Sequence, residues 1–159
     1  MKTIDFSNIG LKNSLDVYKK LERDRENLKE ALIQQKQNLL YDYIINLYTY
    51  GYHIKDWLKK EDYIGVEEFI NNNPELRVCA DLCNGSKHKI LTSIRSSEDP
   101  VQSVDASTIT SDSVSYTADS TVPVNSQTFN IRLESGKNYE IMYFANKIVE
   151  LWNKFIFQN

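Results

Sequence analysis

NSLDVYKKLERDRENLKEALIQQKQNLLYDYIINLYTYGYHIKDWLKK, from Asn13 to Lys60, contains no proline, and Gly51 is its only glycine. Leu11, Leu15, Tyr18 and Leu21, then Leu28 and Leu32, then Leu39, Tyr43 and Leu47 return at helical intervals, the pattern of a helix with one apolar face. Charge fills the other side, and the tract Glu22 to Glu30 reads as a solvated face with internal ion pairs. The run either forms one long helix or breaks near Gln34 to Gln37 into two helices that pack together. The break is the expectation, because an unbroken helix would leave its stripe unburied.

Outward from this stretch, Gly65 to Asn72 predicts a short helix with Val66, Phe69 and Ile70 inward. Asn73-Pro74 then reads as an N-cap followed by proline at the first helical position. Leu76, Cys79, Ala80 and Cys83 carry that helix to about Ile90. After Leu91 the composition shifts to Ser, Thr, Asp and Val. Val114, Tyr116 and Ala118, then Val122 and Val124, then Phe129, Ile131 and Leu133 alternate with period two, which predicts strands. Glu134 to Lys137 reads as a turn, and Asn138 as the cap of a final helix whose wide apolar face holds Ile141, Phe144, Ala145, Ile148, Leu151, Trp152 and Phe155. The predicted fold is therefore mainly α: a single domain, 1–159, built as a four- or five-helix bundle with a small antiparallel β insertion, about 93–135, before the last helix.

Composition narrows the function classes. The chain has 159 residues, 41% hydrophobic and 26% charged, ordinary values for a globular domain. A formal net charge of −3 argues against a broad nucleic-acid footprint. It leaves room for a local basic site, with Lys87, Lys89 and Arg95 close in sequence and Lys59 and Lys60 elsewhere. The ten tyrosines suit the rim of a core or an interface and are compatible with a homodimer. Cys79 and Cys83 lie one helical turn apart, poor geometry for a disulfide, and read as buried reduced thiols. No apolar run reaches the roughly 20 residues of a membrane span, and Met1 to Leu11 lacks the pattern of a signal peptide. A cytoplasmic location and no membrane partner are expected.

Both histidines of the chain sit in compact polar motifs. In Tyr52-His53-Ile54-Lys55-Asp56-Trp57, helical spacing puts His53, Asp56 and Trp57 on one face. In Asp81-Leu82-Cys83-Asn84-Gly85-Ser86-Lys87-His88, it groups Asp81, Asn84, Gly85 and His88. Gly85 costs about 1 kcal/mol against alanine inside a helix and implies a close approach there. The expectation is that the motifs meet in one polar cluster, with Asp56 orienting His88 or His53 pairing with Asp81. Such a cluster has three readings. A hydrogen-bonded His-Asp-Asn network can fix helix register without chemistry. His88 can serve as acid or base on a phosphodiester, with Lys87 or Asn84 stabilising a phosphoryl oxygen. His53, Asp56 and His88 can supply two imidazoles and a carboxylate to a metal, although two histidines make a thin ligand set, and no cofactor is expected. No Walker, Rossmann or nucleophile-elbow motif is present.

The pairing of Tyr52-His53-x-x-Asp56-Trp57 with Asp81-Leu82-Cys83-Asn84-Gly85-Ser86-Lys87-His88, followed by a β excursion and a last helix bearing Trp152, resembles small uncharacterised helical proteins of bacteria and their phages. The resemblance covers roughly Leu39 to Phe157 and implies a phage- or defence-associated accessory protein that binds a partner, either a protein or RNA. A weaker likeness is to the HEPN superfamily of helical bundles, many of them dimeric RNases. His88 stands on a suitable helix with Asn84 four residues before it, but the family's arginine has no counterpart there, and Arg77 lies too far upstream. That likeness implies a HEPN-like binding fold, or alternatively a metal-independent RNase acting through His88.

Overall fold

The computed structural model describes residues 10–88, 93–108 and 127–158. Five helices carry the fold: α1 (Ser14–Ile33), α2 (Gln37–Lys60), α3 (Val66–Asn72), α4 (Pro74–Lys87) and α5 (Ile141–Gln158). Between α4 and α5 stand three strands, β1 (Val101–Thr108), β2 (Gln127–Leu133) and β3 (Asn138–Glu140), in one antiparallel sheet of order β1-β2-β3. The fold is mainly α with a small β insertion before the last helix, as the periodicity predicts. Among the described residues, no helix is long and apolar enough to cross a membrane.

The long first stretch does break. α1 stops at Ile33, and Gln35 turns the chain with φ of 53°, a left-handed conformation that a helix cannot continue. Lys36 N closes the turn on Ala31 O at 3.0 Å. α2 then runs back along α1, so that the start of α1 meets the end of α2: Ser14 N and Oγ both donate to Glu61, at 2.6 and 2.5 Å. Asn13 caps α1 by accepting from Asp16 N at 2.9 Å.

Asn73 stands at the N-cap position of α4 with Pro74 opening the helix, as the sequence predicts, but its side chain makes no cap bond and donates back to Phe69 O at 2.6 Å. One expected cap falls elsewhere. Asn138 is not a helix cap but the first residue of β3, paired with Arg132. The cap of α5 comes from Glu140, whose carboxylate accepts from Met142 N and Tyr143 N, both at 2.9 Å. α4 ends at Lys87 rather than near Ile90. The strand read from Phe129, Ile131 and Leu133 is β2, with Gly136 turning the chain at φ of 88°. The alternation from Val114 to Val124 lies outside the described residues.

The core gathers on α5. Phe144, Ala145, Ile148 and Trp152 have no exposed surface, and neither do Leu21 of α1 or Cys79 of α4. Burying a side chain of this size stabilises by about 1.5–3 kcal/mol. The helices close on Gly51. A Cβ there would stand 3.0 Å from Ile148 Cγ2 and 3.1 Å from Cys79 Sγ, with Leu21 Cδ1 at 3.8 Å. The absent side chain also bares the backbone, and Trp152 Nε1 donates to Gly51 O at 2.7 Å. Gly51→Val should therefore destabilise the protein by about 3 kcal/mol through overpacking, read as a lower urea midpoint with an unchanged slope. An unchanged midpoint would show that the contact gives way freely.

Candidate functional site

α4 carries the second polar motif, and its faces look in different directions. Cys79, Cys83 and Lys87, spaced by four, turn toward α2. Cys79 Sγ donates to Tyr48 O at 3.3 Å, and Cys83 Sγ lies 3.5 Å from His53 Nε2. Lys87 Nζ completes the row, 2.9 Å from the same imidazole nitrogen. Both thiols are buried and free. Burial raises the pKa of each, so neither is an activated nucleophile.

Asp81, Gly85 and His88 share the other face, without the Asn84 that helical spacing groups with them. They line a groove of about 700 Å³ between α4, Tyr48 of α2 and the sheet. Val101 and Val104 form its far wall, with Leu82, Ile94 and Pro100 adding apolar surface. The register explains the gap: Val104 pairs with Ile131, yet Ile131 is sealed under the helices while Val104 is 39% exposed. The inner face of the sheet thus overhangs the bundle at β1. His88, Ser86, Gln102 and Glu134 supply polar groups along the rim.

The expected single cluster of His53, Asp56, Trp57, Asp81, Asn84, Lys87 and His88 therefore divides. Asp81 is 5% exposed and its carboxylate is taken: Oδ1 accepts from Arg95 N at 2.7 Å, and Oδ2 accepts from Ser96 N at 2.8 Å and Ser96 Oγ at 2.5 Å. It pins the chain that leaves α4 and does not pair with His53. His53 meets Lys87 and Cys83, whereas His88 caps α4 at the groove, so the two imidazoles serve separate environments. Asp56 is exposed and ion-paired with Lys55 at 3.5 Å, not with His88. Trp57 is half-buried against the core. Asn84 accepts from His88 N through its carbonyl, an ordinary helical bond. Among the described residues no group of three His, Cys, Asp or Glu could hold a metal ion, so His53, Asp56 and His88 do not form the ligand set the sequence offered.

Beside His53 lies a charged network that the motifs did not show. Glu67 of α3 accepts from Arg95 at 2.7 Å, Lys59 at 3.1 Å and Lys55 at 3.3 Å. The Tyr52 ring underlies Lys55 Nζ at 4.8 Å and Arg95 Cζ at 5.8 Å. Lys59 and Arg95 stand out in the sequence as basic residues, but nothing in their spacing reveals the shared carboxylate. Burial pushes the Glu67 pKa up, but Arg95 first, then Lys59 and Lys55, outweigh it and hold the carboxyl at about 2. For His53 the shift is also downward, caused first by burial and then by the Lys87 charge, with Asp56 opposing. Lys87 Nζ can only donate, so His53 Nε2 is the acceptor in their contact. Compared with known proteins, the chain matches no family model, no curated protein and no solved structure.

Two measurements check this assignment. Asp81→Ala leaves two backbone donors without their acceptor and should cost about 3 kcal/mol, visible as a lower thermal midpoint. An unchanged midpoint would mean that water replaces the carboxylate. Because the folded pKa of Glu67 lies below the ordinary 4.5, its contribution is complete above that value and fades as pH falls from 4.5 to about 2. Stability measured across that window should fall less steeply in Glu67→Gln, and high salt should shrink the difference, since the group is partly exposed. Parallel curves for the two proteins would remove the network from the acid response.

Proposed function

We propose that this is an accessory binding protein, and that the groove between α4 and β1 takes an extended, apolar segment of a protein partner. The overhang of Val104 beyond the helices, next to a Val101 that still packs on the core, is the observation that carries this reading. Leaving the edge of a sheet's inner face exposed has a cost, and a concave site that sets apolar surface beside convergent polar groups is a usual form of binding site. The volume lies within the range of known ligand sites. β1 is also an outer strand of the described sheet, and an outer strand offers backbone groups to an extended peptide. His88, Gln102 and Glu134 on the rim would fix its orientation. A homodimer in which a second copy fills the groove is an outcome the same experiment would reveal.

The alternative, a metal-independent RNase using His88, needs Lys87 or Asn84 beside the imidazole to stabilise phosphoryl charge. Lys87 is instead turned to His53, one helical step away from the groove.

A random-peptide display library selected on the wild-type protein should enrich apolar sequences that are lost with Val104→Glu. Shifts of backbone NMR signals on adding such a peptide should fall on Tyr48, Leu82, His88 and Val104. Failure to enrich, or shifts elsewhere on the surface, would overturn the reading. RNA cleavage that is lost in a folded His88→Ala protein would establish the enzyme instead.

A further inference from the structure

The corner where Lys87 meets His53 differs from the neighbouring ion pairs: its cation faces an imidazole rather than a carboxylate. Lys55, Lys59 and Arg95 share Glu67, and Lys55 adds Asp56. Lys87 Nζ has the imidazole nitrogen at 2.9 Å and no carboxylate within ion-pair reach among the described residues. In this corner Lys55, Lys59, Lys87 and Arg95 stand against Asp56 and Glu67, a local excess of positive charge on a chain whose formal charge is −3. Arg95 Nη1 is also buried without a hydrogen-bond partner. The cations come from α2, α4 and the segment after α4, so folding assembles the excess.

We propose that this corner binds the phosphate group of a small phosphorylated ligand, with Lys87 Nζ and His53 Nε2 as its contact atoms. A compact dianion suits the site better than a long polyanion. Asp56 and Glu67 are interspersed among the cations and would repel an extended backbone, while one phosphate can sit on Lys87 and His53 clear of both carboxylates. The lysine would donate to one phosphate oxygen. The imidazole, which accepts from Lys87 in the empty site, would take a proton from solvent and donate to another oxygen. The groups facing His53 permit this. On its own helix they are Tyr52, Lys55 and Asp56; on α4 they are Cys83 and Lys87. Cys83 stays a thiol, so Asp56 is the only anion among them, and an arriving phosphate would supply the charge that favours the imidazolium. This site is independent of the groove, because Lys87 and His88 leave α4 about 100° apart.

The test follows the His53 imidazole by NMR in the whole protein. Inorganic phosphate and adenosine 5′-monophosphate are titrated separately, each against sodium chloride of equal ionic strength. Both should shift the His53 signals saturably and raise the pKa of that ring, while the His88 signals stay in place. Lys87→Met, a change at an exposed residue, should weaken both by about tenfold or more with the melting temperature unchanged, and Lys154→Met on α5 should leave them as they are. Shifts that sodium chloride reproduces, that do not saturate, or that survive Lys87→Met would overturn the proposal. So would binding of the nucleotide without inorganic phosphate, or affinity for single-stranded RNA that grows with its length.

Discussion

The bond from the Trp152 indole to the Gly51 carbonyl holds the arrangement together. It requires α5 to approach α2 so closely that no side chain fits between them. Ile148 and Cys79 occupy the space where a Cβ would lie, so the same glycine sets the distance of α5 and of α4 from α2. A buried indole N–H without an acceptor would be costly, and a backbone carbonyl left uncovered by a missing side chain is one of few acceptors a helix can offer sideways. The geometry of α4 follows. Once Cys79 is seated against Gly51, Cys83 and Lys87 must pass along His53, and Asp81 and His88 must face away.

That rotation gives the molecule its two candidate surfaces. One helix presents a lysine to an imidazole on one side and a groove of mixed apolar and polar lining on the other. Asp81 serves neither chemistry. By holding Arg95 N and Ser96 N it redirects the chain, sending the Arg95 guanidinium to Glu67 and Tyr52 while Ile94 faces the groove. A single buried carboxylate therefore shapes both surfaces without belonging to the working part of either.

Most of the helical frame was legible because its causes are local. A stripe repeated at helical spacing, a polar interruption at Gln34 to Gln37, a proline at 74 and a glycine at 136 each act within a few residues. The misreadings came from tertiary pairing. Asn138 has the composition of a cap, but pairing of Tyr139 with Ile131 draws it into a strand and leaves the capping to Glu140. Of the face that spacing gives to Asp81, Asn84, Gly85 and His88, the groove takes all but Asn84. Their partners were not legible. Asp81 is satisfied by backbone donors from a segment with no periodicity, and Glu67 by cations from two distant segments. Neither leaves a trace in spacing.

The contact between Trp152 and Gly51 spans 101 positions of the chain, whereas α1 and α2 are joined by a turn at Gln34 to Lys36. Loop-closure entropy makes the hairpin of α1 and α2 cheap to assemble and the docking of α5 the most expensive ring to close. Trp152, one of two tryptophans in the protein, leaves water only when that long ring closes, so its fluorescence reports the docking of α5 rather than the formation of the hairpin.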